Sequence, residues 1–393
     1  MKIRKLHIKN YKVFDDLELD FTDANGHTLD KIVLAGVNGC GKTTILEIIK
    51  KMYDGTLDYE FNNLKRSLID VELEFSKDET ITLQGAIKFL LEEKVIEIKN
   101  INEQQLIFSI PLINETNSIF LQYLKELNSQ LLYMPINFSI GKLNTKNIHI
   151  IHLSTSKEKM KKLALRSIRD EIFKNEDMPP RQSKEKAIKQ ITKALTGMNL
   201  TTKLVDLESE ELIFESVNGQ KIKFEDLSNG EQTLYFRAIY LSKLNPQNSI
   251  IMIDEPEDSL HPTWQQKVLK LYQNIGENNQ LIVATHSPHI IGSSNAEEVF
   301  LLEIDENQVE AVHPKYTKGH SIDYILEVMG ANPRDTTVIT TVEAYLALIR
   351  KGQHQTEKGL KLKSEIDALN LDPSSEEMRR LDLSLKRFKA VQV

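Results

Sequence analysis

The segment from Gly36 to Thr44 constrains the fold of this chain more than any other. It reads Gly-Val-Asn-Gly-Cys-Gly-Lys-Thr-Thr and matches the pattern G-x-x-x-x-G-K-[ST]. The apolar run Lys31–Ala35 before it predicts a buried strand, and a helical pattern over 43–50 follows it. This order predicts a loop whose backbone N–H groups surround phosphate oxygens, because glycines place no Cβ in the way. The segment is called the phosphate loop.

The phosphate loop predicts a set of nucleotide-binding residues. Lys42 is placed to reach the β- and γ-phosphates and to act in catalysis, and the Thr43 hydroxyl is placed to ligate Mg²⁺. ATP and Mg²⁺ are therefore the expected cofactors. A glycine turn without a ligand is the structural alternative. The predicted nucleotide contacts in the loop are Gly36, Asn38, Gly39, Cys40, Gly41, Lys42, Thr43 and Thr44.

A second apolar run supplies acidic residues for the same site. Ile250–Ile253 is followed by Asp254 and Glu255, the arrangement of a Walker B strand. Asp254 is predicted to ligate Mg²⁺ together with Thr43. Glu255 is predicted to orient and deprotonate the attacking water. A turn that happens to carry two carboxylates is the alternative interpretation.

Composition excludes several classes of protein. The formal net charge of −7 gives no overall basic balance, so any nucleic-acid contact has to be local. The single cysteine, Cys40, makes a disulfide framework impossible. We expect no signal peptide and no membrane contact, because no run approaches the roughly 18 apolar residues of a membrane helix. The expected location is the cytoplasm.

Two further motifs lie before and after the acidic strand. Leu227–Gln232 reads Leu-Ser-Asn-Gly-Glu-Gln, and Thr285-His286 ends the apolar run that starts at Gln280. Together with the phosphate loop and the acidic strand, they resemble the motifs of ABC-type ATPases in content and in order. We therefore expect an α/β fold, an ABC-type P-loop NTPase head with a mixed sheet, a helical arm and a helical C-terminal tail.

The resemblance also implies a mechanism. ABC-type ATPases dimerise head to tail and enclose two nucleotides. Ser228, Asn229 and Gly230 of one subunit would contact the γ-phosphate held by the other. His286 would sense the same phosphate and help to hold the attacking water. ATP would then favour a closed dimer, and hydrolysis would release it.

Further stretches resemble one branch of these ATPases. Pro256–Gln266, which contains Leu-His-Pro-Thr-Trp-Gln, and the start of the chain, Leu6–Phe14, resemble the RecF/OLD-like group, also called AAA-15 or AAA-21. That group commonly has a basic residue near the nucleotide at the position of Lys12, which we therefore count among the nucleotide-binding residues. The resemblance covers roughly residues 1–60 and 222–302.

A basic segment lies between these motifs. The stretch 155–198 predicts helices interrupted at Pro179-Pro180. Within 157–193 there are 12 Lys or Arg and 6 Asp or Glu, although the whole chain is acidic. This excess is compatible with a DNA or RNA contact through 157–193. A solvated face on a helical arm of the ATPase is the alternative, and both interpretations stay open.

The remaining expectations concern domains and secondary structure. We expect an ATPase domain over 1–302, with the helical arm inserted at about 155–198, and a mainly helical region over 303–393 for oligomer or partner contacts. Leu131–Met134 predicts a buried strand. Helical blocks are predicted near 321–330, 341–352, 356–368 and 374–389, and a hairpin is predicted from Val71–Phe75 and Thr80–Leu83.

The sequence predicts an ATPase without a nuclease site of its own. Residues 303–393 lack the Asp-x-Asp pair of a TOPRIM nuclease, and no HNH-like group of histidines is evident. The stretch Gly319–Leu326 resembles the ends of Septu-type (PtuA) and retron-associated defence ATPases. This implies a homodimer or higher oligomer that controls a separate nuclease of HNH or TOPRIM type. The alternatives are a RecF-like DNA-repair ATPase and a slow ATP switch that restrains a toxin, as in PARIS-like systems.

Overall fold

The computed structural model describes residues 1–54, 68–76, 79, 97–101, 105–111, 131–134, 148–150, 157–173, 178–208, 211–305, 308–331, 336–373 and 375–391. Contacts between Cα atoms divide the chain into two units, Met1–Ile325 and Leu326–Val393. Each unit contains a hydrophobic cluster of its own.

The described part of the first unit contains both strands and helices. The strands are β1 (Lys2–Tyr11), β2 (Phe14–Asp20), β3 (Lys31–Gly36), β4 (Leu68–Ser76), β5 (Glu97–Ile101), β6 (Gln105–Pro111), β7 (Leu131–Met134), β8 (Ile148–Ile150), β9 (Thr202–Glu208), β10 (Glu211–Ser216), β11 (Lys221–Lys223), β12 (Ile250–Asp254), β13 (Gln280–Thr285), β14 (Val299–Asp305) and β15 (Gln308–Val312). The helices are α1 (Lys42–Asp54), α2 (Lys157–Phe173), α3 (Pro180–Ala194), α4 (Asn229–Leu244), α5 (Pro262–Gln265), α6 (Val268–Gln273) and α7 (Pro288–Ile291), and α8 (Ile322–Val328) spans the boundary.

A 7-stranded sheet carries the predicted site, in the order β15-β14-β3-β13-β12-β7-β8. Its strands pair in parallel, except that β15 pairs with β14 in antiparallel orientation. Every residue of β7, β12 and β13 is buried, as is typical of parallel strands covered on both faces. The mixed sheet and its helices confirm the predicted α/β fold and the strands predicted from these apolar runs.

A 5-stranded antiparallel sheet, β2-β1-β4-β6-β5, packs against the first sheet. The rings of Phe21 and Phe300 meet edge to face in the core that both sheets share, with centroids 5.2 Å apart. The predicted strand at Val71–Phe75 is confirmed within β4, which pairs with β1 and β6. Its predicted hairpin partner, Thr80–Leu83, lies outside the described residues.

The arm consists of α2 and α3, which pack against α4. Pro180 is the first residue of α3, a position that tolerates proline because its missing N–H has no helical partner there. The predicted interruption at Pro179-Pro180 is therefore confirmed as the start of a helix. The strands β9, β10 and β11 form a small antiparallel sheet between α3 and α4 in the chain.

The second unit contains α9 (Thr336–Arg350), α10 (Glu357–Ala368) and α11 (Glu376–Val391). Their apolar side chains form one cluster, in which Tyr345, Ile366 and Leu381 come from the three different helices. The predicted helical blocks are confirmed, but α9 begins earlier than the pattern indicates, at Thr336. Across the described residues, no helix is both long and apolar enough to span a membrane.

The side chain of Gln280 joins β1 to the 7-stranded sheet. Its Oε1 accepts a hydrogen bond from Ile3 N at 2.7 Å, and its Nε2 donates to the carbonyl oxygens of Ile3 and Leu29 at 2.8 and 3.1 Å. Gln280→Ala removes the hydrogen-bonding partner of these buried backbone groups. We therefore expect the free energy of unfolding to fall by about 2–4 kcal/mol.

Denaturant unfolding followed by circular dichroism measures this loss. Gln273→Ala, at an exposed position of α6, is the matched control and is expected to change stability by less than about 0.5 kcal/mol. If the two variants had equally small effects, Gln280 would not hold β1 in place.

Candidate active site

The phosphate loop leaves β3 and leads directly into α1. Gly36 and Gly41 have φ angles of 145° and 96°, in the region that favours glycine. A Cβ on Gly36 would lie 2.5 Å from the carbonyl oxygen of Leu302, and a Cβ on Gly41 would lie 2.3 Å from the Phe14 ring. A Cβ on Gly39, in contrast, would meet nothing within 4 Å. The loop is thus closely packed on its inner side and open at its tip.

Lys42, the first residue of α1, turns back into this loop. Its Nζ donates to the carbonyl oxygens of Gly36 and Val37, both at 2.9 Å, and lies 3.7 Å from Cys40 Sγ. Burial lowers the pKa of Lys42, and the nearby thiol opposes that shift. The ammonium therefore lies within the loop, where phosphate oxygens would need a positive charge. Asn38 is exposed at the loop tip, and Cys40 is buried beneath it.

Thr43 and Asp254 join the phosphate loop to the end of β12. The Thr43 hydroxyl donates to both carboxylate oxygens of Asp254, at 3.2 and 3.0 Å. Burial raises the pKa of Asp254 to about 6, and the hydrogen bond from Thr43 opposes the shift. A hydroxyl and a carboxylate side by side fit the oxygen ligands that Mg²⁺ prefers. Thr44 follows in the first turn of α1 and is partly exposed.

Glu255 and His286 face each other across the ends of β12 and β13. Nε2 of His286 lies 3.5 Å from Oε1 of Glu255, and the side chains are 33% and 37% exposed, respectively. Glu255 has a φ of 49°, and its N–H donates to the carbonyl oxygen of Ala284 at 2.8 Å. A non-glycine residue in this region is strained, and such strain concentrates at functional sites. Burial and the charge of Lys42 lower the pKa of His286.

Glu257 contacts His286, although no role in the site was predicted for it from the sequence. Its Oε1 accepts hydrogen bonds from the Thr285 hydroxyl at 2.6 Å and from the His286 N–H at 2.7 Å. Burial raises the pKa of its carboxyl group, and these hydrogen bonds oppose the shift. The sequence feature that could have pointed to Glu257 is its position two residues after Glu255, in the run Asp-Glu-Pro-Glu.

The predicted signature residues form the start of α4. The Ser228 Oγ accepts a hydrogen bond from the Glu231 N–H at 3.3 Å and donates to Glu231 Oε2 at 3.2 Å. The other carboxylate oxygen of Glu231 accepts from the Thr201 hydroxyl at 2.8 Å. Gly230 packs against Trp264 so closely that an added Cβ would lie 2.6 Å from the indole ring. Glu231 thus connects the signature serine to the segment just before β9.

Ser228 and Gly230 line an open cleft of about 920 Å³ that also reaches Glu255. His261 lines the same cleft. None of the phosphate-loop residues, all of which the structure describes, is part of this lining. The structure therefore gathers five predicted residues into one cluster, namely Lys42, Thr43, Asp254, Glu255 and His286. The signature residues Ser228, Asn229 and Gly230 start a helix that adjoins this cluster at Glu255.

Comparison with known proteins identifies the family. The sequence model of the family AAA_21, described as "AAA domain, putative AbiEii toxin, Type IV TA system", matches residues 31–292, which is more than half of the chain. The chain belongs to the AAA_21 family. This membership confirms the AAA-21 branch predicted from the motifs. The protein is thus an ATPase of the AAA type, from a family with defence-associated members.

The individual relatives share only low sequence identity with this chain. The chain is 25% identical to the Septu protein PtuA of Bacillus thuringiensis, over 99% of each chain. It is 22% identical to the Retron Vc95 probable ATPase of Vibrio cholerae serotype O1 biovar El Tor, over 92% of this chain and 76% of that protein. The solved SMC head domain from Thermotoga maritima is similar with a TM-score of 0.46 and 14% identity, covering 80% of this chain and 100% of that chain.

In this AAA_21 ATPase, Lys12 lies in the turn between β1 and β2. Its Nζ lies 2.9 Å from the Glu47 carboxylate on α1, and its φ of 53° is left-handed. The two residues after Lys12 contact the position of Gly41, so the turn packs directly on the phosphate loop. This placement brings Lys12 close to the loop, and its contact with a nucleotide stays a prediction.

Two lysines of the arm form ion pairs with acidic residues from outside it. Lys161 forms ion pairs with Glu211 and Glu225, at 2.8 and 2.5 Å. Lys184 likewise pairs with Asp206 at 2.5 Å. These acidic partners lie outside 157–193, whereas Asp170 within the segment pairs with Lys243 from α4. A nucleic-acid contact through this segment stays a prediction.

The protonation of His286 is a direct test of the cluster. Because burial and the Lys42 charge disfavour the imidazolium, we expect His286 to titrate below its ordinary pKa of 6.5 and to be mostly neutral at pH 7. Long-range ¹H–¹⁵N NMR of histidine-labelled protein measures this titration, and His286→Gln assigns the signal. Lys42→Met should raise the pKa of His286 by removing a positive charge. A wild-type pKa above 6.5, or no response to Lys42→Met, would contradict the described electrostatics.

Proposed function

We propose that this chain binds ATP with Mg²⁺, hydrolyses ATP in a head-to-tail dimer, and controls a separate effector nuclease in anti-phage defence. The observation that carries the proposal is the cluster at the ends of β3, β12 and β13. There the Thr43 hydroxyl contacts the Asp254 carboxylate, and His286 lies 3.5 Å from Glu255. The charge of Lys42 acts on both Asp254 and His286. The residues are the types that phosphoryl transfer to water requires.

Each residue of the cluster has a proposed role in hydrolysis. The Lys42 ammonium would leave the loop carbonyls and pair with the β- and γ-phosphates. Thr43 and Asp254 would hold Mg²⁺, which when bound neutralises charge on the phosphate oxygens. The Glu255 carboxylate would accept a proton from the attacking water. His286, as a neutral imidazole, could both donate and accept a hydrogen bond near that water and the γ-phosphate.

The dimer is proposed because the site in one chain is incomplete. Ser228, Asn229 and Gly230 lie at the start of α4, whose N–H groups can bind an anion. These residues open onto a cleft that the phosphate loop does not line. A two-fold symmetric pair would place the signature of each subunit against the nucleotide of the other and complete both sites together.

The effector is proposed from the similarity to Septu and retron proteins and from the domain arrangement. We propose that 1–302 is the ATPase domain and that 303–393 contacts the oligomer or the partner. A nuclease of HNH or TOPRIM type is the partner that the family resemblance implies. We place a direct DNA-repair role second, because acidic residues outside the arm pair with two of its lysines, Lys161 and Lys184.

Affinity purification from the native operon tests this function. Tagged wild-type chain, Glu255→Gln and the exposed control Glu297→Gln are purified with ATP and Mg²⁺, and the complexes are sized by mass photometry. Glu255→Gln should reduce ATP hydrolysis by roughly 100-fold or more, because the general base is lost, and should accumulate the ATP-bound dimer. Glu297→Gln should resemble the wild type.

Proteins that copurify with the chain identify the effector. We expect a nuclease in a complex of defined mass with the wild type and both variants. If the chain alone cut DNA with Mg²⁺, the separation between ATPase and nuclease would be wrong. A dimer without a partner but with bound DNA fragments would favour the DNA-repair function. A captured toxin without nuclease activity would favour the slow switch.

A further inference from the structure

Glu257 connects the two strand ends that carry the cluster. It follows β12 in a tight turn, in which the Asp258 N–H donates to the carbonyl oxygen of Glu255 at 3.1 Å. From this turn its Oε1 reaches β13 and accepts hydrogen bonds from the Thr285 hydroxyl and the His286 N–H. One carboxylate oxygen therefore fixes the main chain at His286 relative to the turn that carries Glu255.

The second carboxylate oxygen of Glu257 has an unusual environment. Oε2 is buried and has no hydrogen-bond partner among the described residues. A buried polar atom without a partner costs about 1–3 kcal/mol, so a carboxylate is an expensive way to hold two strands together. A neutral side chain with one acceptor could make the same two hydrogen bonds. What the two hydrogen bonds require at this position is therefore an acceptor oxygen, which glutamine can also supply.

Arg237 also holds this turn. This residue of α4 is only 1% exposed, and its Nη1 donates to the carbonyl oxygen of Pro256 at 2.7 Å and to the Tyr272 hydroxyl at 2.9 Å. The strained Glu255 therefore lies next to a residue held by Arg237, and Glu257 follows. Two buried side chains, Glu257 and Arg237, therefore fix the turn. Arg237 belongs to α4, the helix that begins with the signature.

We propose that Glu257 is a positioning residue for ATP hydrolysis, which sets the distance between His286 and Glu255 by holding the His286 main chain. The proposal depends on the proposed function, because it assigns a role within the same hydrolytic site. Glu257 borders the cleft that Ser228 and Glu255 line, but its Oε1 is bonded to Thr285 and His286, and its Oε2 is buried. It acts through its hydrogen bond to the His286 N–H, and loss of that bond frees the imidazole to move away from the Glu255 carboxylate.

A purely structural role predicts something different. If Glu257 only joined β12 to β13, its removal would lower stability and ATP affinity together with the hydrolysis rate. A positioning role predicts that the rate of the chemical step falls while ATP affinity is retained. The two roles are distinguished by measuring single-turnover hydrolysis, the ATP dissociation constant and the unfolding temperature of the same variants.

Glu257→Ala and Glu257→Gln are the informative pair. Alanine removes the acceptor, and we expect the single-turnover rate to fall roughly 10- to 100-fold while the ATP dissociation constant changes less than about two-fold. Glutamine keeps one carbonyl oxygen as acceptor and is expected to restore the rate to within about five-fold of the wild type. Glu277→Gln, at an exposed position between α6 and β13, is the control and should match the wild type.

A wild-type rate in Glu257→Ala, or a parallel loss of rate, ATP affinity and unfolding temperature, would overturn the proposal. If the alanine variant does not fold, Thr285→Val removes the hydroxyl that donates to Glu257 and accepts from the Ser287 N–H, and it leaves the His286 N–H bond to Glu257. The proposal then predicts less than about a five-fold loss of rate. A larger loss would assign the effect to Thr285 instead. If the wild type and Glu255→Gln hydrolyse ATP equally poorly, the proposed function itself fails.

Discussion

The parallel pairing of β12, β13 and β3 is the constraint on which the site depends. Thr285 pairs with Ala35, and Asp254 pairs with Ala284, so the carboxyl ends of the three strands lie side by side. The phosphate loop, the acidic pair and the histidine follow these ends directly. A shift of one residue in either pairing would turn alternate side chains to the opposite face and separate Thr43 from Asp254.

The same sheet supports a group of buried charges that would otherwise be unfavourable. Lys42, Asp254 and Arg237 are each at most 5% exposed. Each fully buried leucine or isoleucine contributes about 1.5–3 kcal/mol, so a few side chains of the shared core offset the cost of several imperfectly paired polar atoms. The site can therefore keep strained and incompletely paired groups because the sheet around it is almost entirely apolar.

Sequence predicted the parts of the site that local pattern determines. The strand, loop and helix around Lys42, and the acidic end of β12, follow from residues adjacent in the chain. The buried roles of Glu257 and Arg237 were not predicted, because their partners lie 19 to 35 positions away and are identified only by the fold. The ion pairs of Lys161 were not predicted for the same reason, since its acidic partners come from other elements.

Secondary structure shows the same division. Long apolar runs such as β13 were predicted with their ends, but the small sheet of β9, β10 and β11 was not, because its short strands alternate charged and apolar residues only weakly. The start of α9 was placed too late, since threonines in its first turns obscure the helical pattern. The hydroxyl of Thr340, for example, donates to the carbonyl oxygen of Thr336 one turn earlier in the helix.

The central claim is that each ATP site is completed by a second subunit, and mixing two inactive variants tests it most directly. Lys42→Ala should inactivate the phosphate loop, and Ser228→Arg should inactivate the signature. Thermal unfolding should show that both variants are folded. In an equal mixture, half of the dimers would carry one intact site, so ATP hydrolysis should recover to about a quarter of the wild-type rate. A mixture no more active than its components, or a Ser228→Arg variant that hydrolyses ATP normally by itself, would contradict the account.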